Sequence, residues 1–262
     1  MSAYHCLYTM RAKERAPVVV LCLLPGQAVA TGTNRGGLEL WNLGSGTCRQ
    51  DLVGHHGRIK ALHLVDSGRT LVSLDEQRHL RLWDLPGMRC RVHIDRSDHE
   101  GIFRLLAVSD DGARGFSVSD RGHGCLWNLT RGDIERHVEL VFSAAPVRVE
   151  FGPGSRQTVH VELEDRSWAA LDLTKSACSP ELPPPAVRYK NGHPTYQVAV
   201  VEDRIVLRRR DDGRQVLVLE GHDEPVLCAA LSPDARSAVS GDAGGTIRLW
   251  RLEMGPAGAT AR

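Results

Sequence analysis

The chain has 262 residues, a formal net charge of +1, 42% hydrophobic residues and 25% charged residues, which is typical of a soluble globular domain. This balance gives no sign of a basic surface for nucleic acid or for an anionic membrane. The longest apolar run, residues 16–24, is too short to span a bilayer, and the N-terminus shows no signal peptide.

Short β-rich runs separated by turn residues follow one another along the chain, and the first covers residues 5–11. The clearest group of four covers residues 59–65, 70–74, 80–85 and 90–94. Strands of about five residues with regularly spaced turns predict an all-β array. Because one four-stranded sheet cannot bury both of its faces, several such sheets are expected to pack radially against one another.

The second half of the chain holds three less regular segments. Residues 180–185 contain Pro-x-x-Pro-Pro-Pro, which predicts a loop that is either a rigid connector or a polyproline ligand for another domain. Asn191-Gly192 predicts a hairpin turn between strands at residues 187–189 and 195–201. Residues 255–262 are small and Gly-rich, and we expect them to form a disordered tail.

Four of the five tryptophans mark one position of a repeat, because each lies in a Leu-Trp-x-Leu motif. Two degenerate copies complete the series, so that the repeat positions are 41, 83, 127, 171, 209 and 250, with a mean spacing of about 42 residues. The fifth tryptophan, Trp168, lies three residues before the position of its own repeat. It is expected either to pack in place of the missing tryptophan or to be an exposed anchor for a partner.

Two Gly-His pairs, Gly54-His55 and Gly221-His222, and the pair Trp83-Asp84 accompany this period. With these features, residues 4–253 resemble the WD40-repeat family. The resemblance implies an all-β, WD40-type β-propeller of six four-stranded blades that forms one domain over residues 1–254. The strand at residues 5–11 is expected to complete the last blade and close the ring. The alternative is a fragment of a longer array.

The resemblance to WD40 repeats also implies a buried hydrogen-bond network in each blade. The Trp indole N–H would donate to a Ser or Thr ten residues earlier, which links onward to the Gly-His histidine and to an Asp. The matching residues are Thr31, Trp41, His55, Ser73, Trp83, His99, Ser117, Trp127, His222, Ser240 and Trp250.

The acid of this network is expected six residues before the tryptophan. The four repeats with tryptophan have other residues there, namely Arg35, Gln77, Arg121 and Gly244. Asp165 and Asp203 occupy the position only in the two repeats without tryptophan. We therefore expect no blade to have the complete network.

No motif for catalysis accompanies the repeat: Walker A, G-x-S-x-G, H-E-x-x-H and EF-hand patterns are all missing. The seven cysteines are scattered without a C-x-x-C pair, which argues against a zinc site and suits a reducing compartment. We expect no catalytic residue, no cofactor and no metal. The arginines at 208–210 and 214 could bind phosphate or an acidic peptide, or could be balanced by Asp211 and Asp212.

The WD40 resemblance implies a non-catalytic interaction scaffold or adaptor that docks proteins or peptides, as a monomeric propeller in a hetero-complex in the cytoplasm or nucleus. Two alternatives are the C-terminal WD-repeat sensor array of a larger NACHT-type NTPase and a propeller hydrolase. Partner recognition is expected on the loops between blades and between second and third strands. The candidate partner-face residues are Arg35, His56, Arg58, Glu76, Arg78, Arg121, His123, Glu224 and Asp242.

Overall fold

The computed structural model describes residues 3–65, 68–77, 79–94, 103–109, 111–119, 123–140, 142, 144–152, 157–174, 177–181, 195–201 and 203–253. The chain forms two compact units. Met1–Gly54 together with Tyr189–Arg262 make up the terminal unit, and His55–Arg188 make up the central unit. Within the described residues, no helix has the length and apolar content needed to span a bilayer.

Nearly all regular structure among the described residues is β-strand. The terminal unit begins with β1 (Ala3–Arg11), β2 (Val18–Leu24), β3 (Ala28–Thr33), β4 (Leu38–Asn42) and β5 (Thr47–Asp51). The central unit follows with β6 (Ile59–Val65), β7 (Thr70–Asp75), β8 (Leu80–Asp84), β9 (Arg89–Ile94), β10 (Phe103–Val108), β11 (Arg114–Ser119), β12 (His123–Asn128), β13 (Asp133–Glu139), β14 (Pro146–Phe151), β15 (Thr158–Leu163), β16 (Trp168–Asp172) and β17 (Ala177–Glu181). The terminal unit resumes with β18 (Tyr196–Val201), β19 (Arg204–Arg209), β20 (Gln215–Leu219), β21 (Val226–Leu231), β22 (Ser237–Asp242) and β23 (Thr246–Glu253).

These strands pair into antiparallel sheets, numbered here in chain order. Sheets 1 to 4 consist of β2–β5, β6–β9, β10–β13 and β14–β17, each in sequential order. Sheet 5 has the described strands β18-β19-β20, and sheet 6 has the order β1-β23-β22-β21. The prediction of an all-β fold built from four-stranded antiparallel sheets is confirmed. The number of blades and the closed ring stay predictions.

The N-terminal strand completes the sheet that contains the last repeat, as predicted. β1 pairs antiparallel with β23, with Cys6 opposite Trp250 and Arg11 opposite Thr246. The Tyr4 ring lies edge-on to Trp250 at a centroid distance of 5.8 Å, and Met10 is buried. The strand is therefore fixed by side-chain packing as well as by its backbone hydrogen bonds.

Both faces of the second strands of sheets 1 and 2 are covered, which explains why their apolar residues do not alternate with exposed ones. All six residues of β3 and all six of β7 are buried. In the central unit, one apolar core lies between sheets 2 and 3 and another between sheets 3 and 4. In the terminal unit, one core lies between sheets 5 and 6 and another between sheets 6 and 1.

The four strands predicted between residues 59 and 94 agree with the structure to within one residue at each end. The predicted loop at 180–185 is wrong at its start, because Pro180 lies in β17 opposite Ala169. β17 is the edge strand of sheet 4, where a proline that lacks an amide N–H is tolerated. The predicted strand at 187–189 and the Asn191-Gly192 turn lie outside the described residues.

Candidate interaction surface

A buried hydrogen-bond network links two strands of sheet 2, β7 and β8, to the loop before β6 in the central unit. Trp83 Nε1–H donates to Ser73 Oγ at 2.8 Å. His55 Nε2 lies 2.6 Å from the same hydroxyl, and His55 Nδ1 lies 2.8 Å from Asp75 Oδ2. Since the carboxylate accepts from Nδ1–H, the Ser73 hydroxyl donates to Nε2, and the chain of donors runs from Trp83 to Asp75.

Sheet 6 of the terminal unit contains the same network. Trp250 Nε1–H donates to Ser240 Oγ at 2.8 Å, and that hydroxyl lies 2.6 Å from His222 Nε2. His222 Nδ1 lies 2.7 Å from Asp242 Oδ2. The His222 and Asp242 side chains are each only 1% exposed, so the network is closed to solvent.

The expectation that no repeat has a complete network is therefore wrong for these two sheets. The acid lies eight residues before the tryptophan, as Asp75 and Asp242, and not six. The residue six positions before Trp83 is Gln77, which is exposed in the turn between β7 and β8. Asp242 was also expected on the exposed partner face, and it belongs instead to the buried network of sheet 6.

Sheets 1 and 3 have the Trp–hydroxyl pair with a different neighbour at the acid position. Trp41 donates to Thr31 at 3.0 Å, and Trp127 donates to Ser117 at 2.9 Å. The acid position holds a second hydroxyl residue in both sheets: Thr33 accepts from Gly37 N–H, and Ser119 accepts from His123 N–H. The predicted partner His99 lies outside the described residues.

Sheet 1 has no histidine at the register of His55. The equivalent position of the repeat is occupied by Lys13, whose backbone N–H donates to Glu39 Oε1 at 2.8 Å. Burial raises the pKa of Glu39, and its other carboxylate oxygen has no hydrogen-bond partner. A carboxylate thus anchors the loop before β2 where a histidine anchors the corresponding loops of sheets 2 and 6.

Burial lowers the pKa of His55 and of His222 below the ordinary value of 6.5, although their aspartate partners act in the opposite direction. Burial would raise the pKa of Asp75, but hydrogen bonds from His55 and His79 hold it below its usual range. Each network therefore contains a neutral histidine. In the unfolded chain the same histidines take up a proton below about pH 6.5.

Lowering the pH from 7 to about 5 is expected to reduce the free energy of unfolding, because the unfolded chain then binds more protons than the folded one. Urea unfolding at both pH values measures this. The double variant His55→Gln, His222→Gln is expected to be less stable at pH 7 but to lose less stability on acidification. An equal loss in both proteins would contradict the buried neutral state.

The networks anchor loops whose outer side chains are exposed in the central unit. His56, Arg58 and Glu76 are exposed on the loops at either end of the sheet 2 network. Glu76 N–H donates to the Arg58 carbonyl at 2.8 Å, and Arg58 N–H donates to Glu76 Oε1 at 3.1 Å. His123 is half-buried, while Arg78 and Arg121 lie outside the described residues.

The terminal unit has corresponding loops. Arg35 and Glu224 are exposed there, and Arg35 lies 3.9 Å from Glu14. Ala243 N–H donates to the Pro225 carbonyl at 2.9 Å, which ties the loop before β21 to the turn after β22. Gly245 has a φ of +78° and packs so closely on Arg15 that a Cβ atom would lie 2.6 Å from the Arg15 carbonyl carbon. A side chain at that position would displace the loop.

Other sequence candidates fall outside this surface. Arg209 forms ion pairs with Asp211 and Asp212, and Arg210 donates to the Tyr196 carbonyl at 3.1 Å, so two arginines of the cluster are already engaged within the protein. Trp168 is buried, which contradicts the alternative of an exposed anchor. In the described part of the chain, no group of three or more His, Cys, Asp or Glu residues is placed to hold a metal ion.

Repeated antiparallel sheets with a Trp–Ser–His–Asp network define the protein as an all-β repeat protein. The family model described as "WD domain, G-beta repeat" matches residues 46–84 and 213–251. Each match contains one of the two complete networks. Residues 46–84 and 213–251 are therefore WD40 repeats, and they support a divergent WD40-repeat family for the chain.

Similar proteins include apoptotic protease-activating factor 1 of Rattus norvegicus, which is 25% identical over 248 residues, or 92% of this chain and 16% of that protein. Nuclear distribution protein PAC1 of Arthroderma otae is 32% identical over 127 residues, or 47% of this chain and 27% of that protein. U3 small nucleolar RNA-associated protein 21 of Saccharomyces cerevisiae is 26% identical over 185 residues, or 69% of this chain and 19% of that protein. The chain thus spans less than a third of the length of each.

Proposed function

We propose that the protein is a non-catalytic WD-repeat scaffold that docks partner proteins or peptides within a multi-subunit complex. The proposal rests on two sets of exposed loops, one anchored by the buried network of sheet 2 and the other by the buried network of sheet 6. Membership of the WD40-repeat family supports the same conclusion, since relatives from several processes share the repeat. We place the chain in the cytoplasm or nucleus, as a single copy in a hetero-complex.

Rigid loops favour recognition because less conformational entropy is lost when a partner binds. In the central unit, the loop of Arg58 is fixed at one end by buried His55 and along its side by the backbone bond from Glu76. The exposed side chains on it are therefore presented by a preformed backbone. Functional residues are commonly placed on loops that a rigid scaffold positions in this way.

The exposed side chains mix positive and negative charge, which suits a polar peptide segment better than an apolar one. The central unit presents Arg58 next to Glu76, and the terminal unit presents Arg35 and Glu224. Charges at the rim of an interface mainly set partner choice and the rate of association. Reversing one of them should therefore change which partners are captured without unfolding the protein.

Affinity purification with mass spectrometry tests the proposal. Arg58→Glu in the central unit and Arg35→Glu in the terminal unit are each expected to reduce recovery of the partners of that unit about tenfold. The matched controls are Arg91→Glu on β9 and Arg49→Glu on β5, which are exposed on outer strands away from these loops. Recovery that is unchanged in the loop variants, or equally reduced in the controls, would show that these loops do not bind the partners.

One observation favours a second candidate, a WD-repeat array within a longer polypeptide. The match to the rat relative covers nearly the whole of this chain but only 16% of that protein. An antibody raised against residues 213–251 would measure the size of the native polypeptide by immunoblotting. A band much larger than the 262-residue chain supports the longer array, and a band at its own size argues against it.

A further inference from the structure

Sheets 2 and 6 place the same residue types at the same distances from the network serine. In both, an arginine follows that serine by eight residues and lies opposite it on the neighbouring strand. Arg81 is opposite Ser73 in sheet 2, and Arg248 is opposite Ser240 in sheet 6. The two arginines therefore occupy the same position of the repeat, and their surroundings can be compared directly.

In sheet 6 the arginine has an acidic partner within its own repeat. Arg248 Nη2 lies 3.9 Å from the carboxylate of Asp223, the residue that follows the network histidine. Its guanidinium carbon also lies 5.9 Å from the centre of the Trp250 ring. The charge of this partly buried arginine is thus offset by Asp223, which is itself almost fully exposed.

In sheet 2 the corresponding acid is replaced by His56, the residue that follows His55. Among the residues that the structure describes, Arg81 forms no ion pair, and its Nε is buried without a hydrogen-bond partner. Arg248 Nε is buried in the same way, so the difference between the sites is the missing carboxylate. Arg81 is a partly buried cation without an anion in the described structure, which favours binding of an anion from outside.

The nearby carboxylate of Asp75 is already engaged. His55 and His79 lie 2.8 and 3.0 Å from its Oδ2, and His79 N–H donates to its Oδ1. Sheet 6 has Thr246 at the position of His79, so sheet 2 carries more imidazole around its arginine. The exposed His56 and Arg58 add further basic groups, and Glu76 is the exposed acid on the same loops.

We propose that Arg81 binds the side-chain carboxylate of an aspartate or glutamate in a partner's peptide segment. The carboxylate takes the place that Asp223 has in sheet 6. A guanidinium pairs with a carboxylate through two parallel N–H···O bonds, so the site selects planar acids and not merely negative charge. This inference rests on the proposed function, because it assigns a partner chemistry to the same loop surface.

Isothermal titration calorimetry with an acetylated, amidated octapeptide of alternating Ser and Glu tests the assignment, and the Ser-Gln octapeptide is its neutral match. The wild type is expected to bind the Glu peptide at least about tenfold more tightly than the Gln peptide. His56→Asp supplies an internal acid to Arg81. This variant should weaken binding of the Glu peptide about tenfold and raise the unfolding midpoint, which separates competition from misfolding.

Arg81→Gln is expected to lose the same preference for the Glu peptide. His56→Asn and Arg248→Gln are the matched controls, and both should keep wild-type affinity within about twofold. No preference for Glu in the wild type, an equal loss in Arg248→Gln, or unchanged binding by His56→Asp would overturn the proposal. So would destabilisation of Arg81→Gln without a change in affinity, because the arginine would then have an internal partner.

The same variants separate this inference from the proposed function. Partner capture that is lost in Arg58→Glu but complete in Arg81→Gln and His56→Asp would overturn the carboxylate site alone. Capture that no loop variant changes would overturn the docking surface itself.

Discussion

Substitution of Asp75 by Ala is expected to lower the free energy of unfolding by about 3 kcal/mol, measured by urea denaturation at pH 7. The reason is that Asp75 accepts hydrogen bonds from the side chain of His55 and from both the backbone and ring of His79. Removing the carboxylate leaves these donors buried without a partner. The cost of unsatisfied buried donors exceeds the benefit of the bonds themselves.

Gln77→Ala is the matched control, because Gln77 stands six residues before Trp83, where the acid was expected. Gln77 is exposed in a turn, and its substitution is expected to change the free energy of unfolding by less than about 0.5 kcal/mol. Comparable losses in the two variants would argue that the network does not stabilise sheet 2.

Deletion of residues 1–11 is expected to destabilise the terminal unit by about 5 kcal/mol, enough to unfold a unit of ordinary stability. The deletion removes the strand that pairs along β23 and exposes the Trp250 ring, which is 1% exposed in the intact protein. It also removes the buried side chain of Met10. Denaturant unfolding, followed by tryptophan fluorescence, measures the effect.

Two point variants on the same strand separate the contributions of a buried and an exposed side chain. Met10→Ala is expected to cost about 3 kcal/mol because the side chain is 3% exposed. Leu7→Ala should cost less than about 1 kcal/mol because Leu7 is 44% exposed. A deletion variant as stable as the full chain would mean that β1 does not complete sheet 6 in solution.

The tryptophan period was sufficient to predict the third strand of each sheet that contains it. The consecutive Leu and Trp of the Leu-Trp-x-Leu motif point to opposite faces of a strand, which suits a strand covered on both faces, and Trp83 and Trp250 are both almost fully buried. The N-terminal strand was predictable for the same kind of reason, since the last repeat lacked an outer strand. Pro180 was misplaced because proline excludes a central strand but not an edge strand.

The aspartate of the network was missed because its position was counted back from the tryptophan, and a turn separates these two residues. Side chains two residues apart on one strand share a face, so the acid that binds the same histidine as Ser73 had to be sought at Asp75. The Ser-x-Asp pattern at 73–75 and 240–242 is visible in the sequence. Which arginine lacks an acid is less readable, because it depends on the three-dimensional approach of Arg248 to Asp223.

The pairing of β1 with β23 sets an order of events during synthesis. Residues 3–11 leave the ribosome before the strand they pair with, which ends at residue 253. Until then the first strand has no partner, and the unpaired edge of a nascent β1 is open to pairing with other chains. Sheet 6 can thus be completed only after residues 246–253 have been synthesised, so the terminal unit finishes folding after all strands of the central unit have been made.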